Sequence, residues 1–163
     1  MGGIGAVIIV VAVIASMAVA MYMYTQYQTN FVEVTAGEPV VVGPVQYSVS
    51  FDGTHMGNKE KSPKNTYVKI KINAENMSDK DTRMSGGQFY LVDEKDGTHR
   101  AVYGGFSTTD LIDDWLEPEK PVIWTTQFDV PYDENAQYKV LIRPSKQQST
   151  VDTARVCIIN CQN

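Results

Sequence analysis

No aspartate, glutamate, lysine or arginine occurs before Glu33. All fourteen basic and nineteen acidic side chains of the 163-residue chain lie from there on, and so does its net charge of −5. A chain divided in this way is two materials joined end to end. Ile4 to Tyr24 reads IGAVIIVVAVIASMAVAMYMY. About 20 such residues cross the roughly 30 Å hydrocarbon layer as a helix. A buried helix of a soluble domain would carry a polar stripe over that length. Tyr22, Tyr24 and Tyr27, with Gln26 and Gln28, form a belt suited to the edge of the lipid. A cleaved secretory signal is not expected, because the apolar run is long and no basic residues precede it. Nor is a lipoprotein anchor, since the first cysteine is Cys157. The expected division is a hydrophobic membrane or filament-core helix over 1–30 and a β domain outside the cell over 31–163.

Ala12, Ser16 and Ala20 recur every four residues. Small residues at that spacing line one helix face and let backbones approach closely. Gly5 lies near the same stripe, and Ile8, Val11, Ile14 and Val19 are the expected apolar contacts beside it. The first basic residue is Lys59, so the flanking cations that orient an ordinary single-pass anchor are missing. Removal of a basic leader ahead of Met1 would account for that. The run Gly3-Ile4-Gly5-Ala6-Val7-Ile8-Ile9-Val10-Val11-Ala12 resembles the mature N-terminus of archaeal archaellins and related type IV pilin-like proteins. Bacterial pilins carry a glutamate where Gly5 stands. The resemblance implies an archaeal surface-filament subunit, held in the membrane before assembly, whose partners are copies of itself joined through this helix.

Beyond Thr29 the pattern changes to period two. Val45, Tyr47, Val49 and Phe51 share a face, as do Val68, Ile70, Ile72 and Ala74. So do Trp124, Thr126, Phe128 and Val130, and so do Tyr138, Val140 and Ile142. Alternation of this kind marks strands with one buried and one wet side. Shorter strands are predicted at Phe31 to Val34, Gln88 to Asp93, His99 to Tyr103 and Ala154 to Ile159. Asp96-Gly97 predicts a tight hairpin. One or two helical turns are expected at Ser107 to Leu116, where Ser107 and Asp110 have capping spacing. Gly53 to Thr66 is expected to be one long loop. The fold class is therefore mainly β: the N-terminal helix, then an antiparallel immunoglobulin-like sandwich of seven or eight strands.

The run Tyr67 to Asn76, then Gln88 to Asp93, Asp96-Gly97, Leu116-Glu117-Pro118 and Phe128-Asp129-Val130-Pro131 resembles the telokin-like, immunoglobulin-type domain of unknown function on bacterial and archaeal surface proteins. That resemblance spans roughly residues 38 to 143 and implies an extracytoplasmic interaction module.

Little in the chain points to catalysis. His55 and His99 are the only histidines, both expected to be exposed, and neither falls in a hydrolase or metalloprotease motif. The chain is expected to be no enzyme and to take no cofactor or metal. The acidic runs Asp110, Asp113, Asp114, Glu117, Glu119 and Asp93, Glu94, Asp96 lack the spacing of a calcium loop. Lys59, Lys61 and Lys64 are read as a solvated loop. The acidic balance speaks against a nucleic-acid partner, whose footprint would be a basic face. Cys157 and Cys161 are candidates for a disulfide, provided the chain turns between them, because an extended strand would hold them about 13 Å apart. Asn76-Met77-Ser78 is a candidate glycosylation site. Two functions follow: a structural subunit of an extracellular filament, or a single-pass membrane-anchored binding module whose ligand the sequence does not name.

Overall fold

The computed structural model describes residues 3–26, 31–148 and 152–161. Tyr27, Gln28 and Thr29, placed by sequence in the belt and connector, lie outside them. Gly3–Gln26 is a single helix, α1. At 1.5 Å per residue it reaches about 36 Å, enough to cross a bilayer. Every side chain from Val7 to Thr25 is exposed. The Ser16 and Thr25 hydroxyls donate to the carbonyls of Val13 and Tyr22, both at 2.8 Å. Hydrocarbon offers no other acceptor, so a spanning helix must satisfy its polar groups in this way.

Phe31–Asn163 forms a separate compact unit. Its strands are β1 Phe31–Thr35, β2 Pro39–Val42, β3 Val45–His55, β4 Thr66–Asn76, β5 Thr82–Ser85, β6 Phe89–Val92, β7 Thr98–Val102, β8 Asp113–Leu116, β9 Val122–Val130, β10 Tyr138–Ile142 and β11 Thr153–Ile159. Nine of them make one sheet in the order β1-β11-β10-β6-β7-β9-β4-β3-β2, and β5 and β8 form a separate ribbon. The turning point is β7. Its first half pairs with β6, while Ala101 and Val102 pair with β9. The sheet thus folds over on itself into two layers. Its end strands β1 and β2 return beside each other, so the sandwich is nearly a closed barrel.

Alternation fills the space between the layers. Val45, Tyr47, Val49, Val68, Ile70, Ile72, Phe128 and Val130 on one side meet Phe89, Leu91, Val140, Ile142, Ala154 and Val156 on the other, all fully buried. Tyr47 and Phe89 meet edge to face, 5.7 Å between centroids. Burial pushes the Tyr47 hydroxyl pKa up to about 12; the nearby carboxamides of Gln148 and Gln88 offset part of this without completing a hydrogen bond.

Several sequence expectations are corrected. Among the described residues the fold has eleven strands rather than seven or eight, because Pro39–Val42, Thr82–Ser85 and Asp113–Leu116 are short strands without visible alternation. No helix forms over Ser107 to Leu116. Instead the Asp110 carboxylate accepts from the Phe106 and Ser107 amides and from the Ser107 hydroxyl, and residues 109–111 run beside Thr125. Leu111 and Leu116 are buried, whereas Ile112 and Trp115 are exposed. That covering segment also buries Thr125, while Gln127 donates to the Val102 carbonyl. From Thr125 to Phe128 both faces of β9 are therefore buried where one wet face was expected, while Ile123 stays exposed. Phe51 leaves the core at a bulge between Phe51 and Gly53. The loop after β3 begins only at Met56 and is pinned where Asp129 accepts from the Lys64 and Asn65 amides. Asp96-Gly97 lies in a five-residue connection closed by Asp93 rather than in a two-residue turn.

Candidate functional site

The outward face of β1, β11, β10, β6 and β7 gathers residues far apart in the chain. Register makes Glu33, Arg155, Leu141, Tyr90 and Arg100 successive partners across the five strands. The row is one side chain per strand, spaced about 4.8 Å apart. Lys139 on β10 and Arg143, the residue after that strand, flank it. Four cations therefore share this face with Glu33, and Glu38 lines the depression beside it, in a chain of net charge −5.

Two of these arginines are stacked. The Arg155 guanidinium lies 4.8 Å from the Phe31 ring centre, and that of Arg143 lies 4.7 Å from Tyr90. Each guanidinium is held against an aromatic ring by cation–π attraction; Arg155 Nε is buried, so an anion meets only the outer nitrogens of that side chain. The base of Arg143 is fixed as well. Its amide donates to the Gln88 carbonyl at 2.9 Å, and its carbonyl accepts from Gln88 Nε2 at 3.0 Å. One carboxylate is already seated on the face: Glu33 Oε1 accepts from Lys139 at 3.2 Å and from Arg155 at 3.4 Å. Arg100 and Arg143 have no ion-pair partner among the described residues.

Three shallow depressions pit this side of the head. One of about 230 Å³ lies by Glu33, Lys139, Arg155 and the disulfide. One of about 270 Å³ lies between Tyr90, Arg100 and Tyr103. The largest, about 620 Å³, runs from Tyr90 and Arg143 past Tyr103 to Ile112. Its far wall is the β5–β8 ribbon, where Arg83 pairs with Asp113 and Trp115 stands exposed beside Arg83.

The residues singled out by sequence lie elsewhere. Ala12, Ser16, Ala20, Ile8, Val11, Ile14 and Val19 are exposed on α1. Cys157 and Cys161 are joined by a disulfide with Cα atoms 5.7 Å apart, the chain turning at Asn160 with φ 50°. Asn76 is not a surface loop residue. It ends β4 and is fully buried. Its Nδ2 donates to the carbonyls of Lys80 at 2.7 Å and Leu116 at 2.9 Å, so a glycan has no place on that nitrogen in the folded head.

Neither histidine is freely exposed. His99 Nε2 meets Asp93 at 2.8 Å. Burial pushes the Asp93 carboxyl up, but bonds from His99 and from the Gly97 and Lys95 amides outweigh it and hold the pKa below 3.8. His55 packs among Tyr67 and Phe106, and its Nδ1 accepts from the Gly57 amide. Burial, helped by Lys69 and opposed by Asp110, lowers its pKa below 6.5. The sequence reading missed the cationic face itself. Its only trace is the alternation Lys139, Leu141, Arg143, three outward residues along β10 and just past its end.

Among solved structures, the yjhA protein from Bacillus subtilis is 19% identical with a TM-score of 0.61, over 76% of this chain and 98% of that one. A putative lipoprotein, ycdA, from the same species is 16% identical with a TM-score of 0.59 over 74% of this chain, although the match spans only 38% of ycdA. The secreted protein MPT63 from Mycobacterium tuberculosis shares 6% identity and a TM-score of 0.59, over 81% and 99% of the two chains. These likenesses show a shared β-sandwich fold. No curated protein sequence matches the chain. A domain family of unknown function, DUF4352, matches residues 34–151, which is most of the chain, and this protein belongs to that family.

Proposed function

We propose that this chain is a surface-tethered binding module: α1 anchors it in a membrane, and the sandwich meets a partner outside the cell. The observation that carries the reading is the covalent union of a charge-free, 24-residue helix with a head that closes its own core. The Cys157–Cys161 disulfide supports an oxidising compartment. So do the printed descriptions of two structural neighbours, one a putative lipoprotein and one secreted. Binding rather than catalysis fits the head, because both histidines are engaged in packing or turn formation and the prominent surface feature is a flat face. Intact cells treated with external protease should lose the head and retain α1 in the membrane after carbonate washing. Protection of the head in intact cells overturns the reading, as does release of the uncleaved chain by carbonate.

The small-residue stripe Ala12, Ser16 and Ala20 is the observation that favours a filament subunit, with copies of this chain as its partners. On that reading Ala12→Leu or Ser16→Leu abolishes filaments seen by electron microscopy and leaves the head folded. Detergent-solubilised monomers indifferent to both substitutions decide for the tether.

A further inference from the structure

We propose that the outer face of β1, β11, β10, β6 and β7 binds an extended acidic segment of a partner protein, with carboxylates two strand positions either side of an apolar residue. The inference rests on the binding-module reading and names the ligand chemistry of its face.

Three observations lead there. The first is charge: Arg100 and Arg143 carry no counter-ion among the described residues, although acids outnumber bases in the chain. The second is the resident carboxylate. Glu33, held by both Lys139 and Arg155, shows the mode in which this surface takes a carboxylate. The third is spacing. Arg155 and Arg100 stand three strands apart in one row, about 14 Å at the usual strand separation. In an extended peptide, residues i and i+4 point to the same side and lie about 13.5 Å apart. A segment crossing the strands with acidic residues at those positions sets one carboxylate on Arg100 and the other beside Arg155 and Lys139, whose two positive charges meet only the one of Glu33. Its residue i+2 then falls midway, over Leu141 beside the Tyr90 ring that Arg143 covers. A polyanion of regular phosphates has the charge for the arginines but nothing to cover that apolar centre. Arg and Tyr are also the residues on which protein–protein affinity concentrates, and shallow depressions suit a peptide better than a small molecule.

The test uses the full chain in nanodiscs of zwitterionic lipid. The probe is a fluorescent peptide containing Glu-Thr-Leu-Thr-Glu, measured by anisotropy. Controls are the same composition ordered Glu-Glu-Thr-Thr-Leu, and an oligothymidylate of equal charge. The ordered peptide is expected to bind, to weaken as salt rises, and to lose about tenfold in affinity on Arg100→Ala, the loss expected for a charge-assisted bond. Arg100→Glu should abolish binding and restore it to a peptide whose second glutamate is lysine. Arg100 is exposed, so an unchanged melting temperature accompanies these losses. Equal binding of the reordered peptide or of oligothymidylate overturns the proposal, as does indifference to Arg100→Glu. Protease protection of the head in intact cells is a separate readout and overturns the tether instead.

Discussion

Asn76 stands where its amide bonds cannot be replaced by water, which makes Asn76→Ala the sharpest test of the packing. The side chain donates to the Lys80 and Leu116 carbonyls and accepts from the Ser78 amide at 3.1 Å and hydroxyl at 2.7 Å. Alanine leaves the buried Leu116 carbonyl with only its strand pairing to Thr82, costing roughly 0.5–1.5 kcal/mol. Loss of the partly wet bonds to Lys80 and Ser78 adds about 0.5–1.5 kcal/mol. A total near 2 kcal/mol lowers the melting temperature of a domain this size by roughly 7 °C. Ser78→Ala destroys the same sequon but removes only the hydroxyl bonds, at about 1 kcal/mol. Asn76→Asp points carboxylate oxygens at two carbonyls in a buried site. Burial raises its pKa, so the loss of stability is small below about pH 4 and grows as pH rises through the folded value. Urea unfolding of the full chain in detergent, followed by the fluorescence of half-buried Trp124, reads all three. A cost below about 1 kcal/mol for Asn76→Ala, or a glycan found on Asn76 of the folded protein, refutes the reasoning.

The disulfide closes a short loop, since its cysteines are four positions apart. Chain entropy assigns it about 2 kcal/mol, so a reductant should shift the urea midpoint modestly and leave the head folded. Asp93 gives an acid-side dependence. Its folded pKa is depressed, so its contribution is complete above the unfolded value and is lost as pH falls through the folded one. Asp93→Asn should flatten the melting-temperature profile below about pH 4, and an unchanged profile counts against the pair with His99. Gly57 has φ of +84°, and a Cβ there would strike the Lys61 carbonyl. Gly57→Ala should therefore cost about 1–3 kcal/mol by the same unfolding assay.

Period-two alternation located β3, β4, β9 and β10 because each turns several successive alternate residues into the core. Short strands such as β5, with only Thr82 and Met84 buried, are too brief for a period to show. The expected helix at Ser107 to Leu116 failed for a related reason. Asp110 and Ser107 bond as in a cap, but Ile112 and Trp115 face solvent, so no apolar helical stripe has a core to bury against. Asn76 was misplaced because a sequon carries no information on burial. The transition out of β4 happens to bury that asparagine against Leu116.

The cationic face was hidden for a deeper reason. Phe31, Tyr90, Arg100 and Arg155 come from four strands and Arg143 from just past a fifth, and β1 pairs in parallel with β11 although they lie at opposite ends of the head sequence. Alternation tells which residues of one strand face water, but not which strands lie side by side. A wet face reads strand by strand as ordinary polarity. Only register turns it into a row whose cations stand together while the acids lie elsewhere. Such separation has an electrostatic cost in the folded head, since like charges about 5–15 Å apart repel within a Debye length or so. Glu33 relieves that repulsion at the β1 end. Nothing among the described residues relieves it at Arg100 and Arg143. A bound carboxylate there would stabilise the head as well as complete the face. Melting of the full chain should then rise with the ordered acidic peptide and fail to rise in Arg100→Glu.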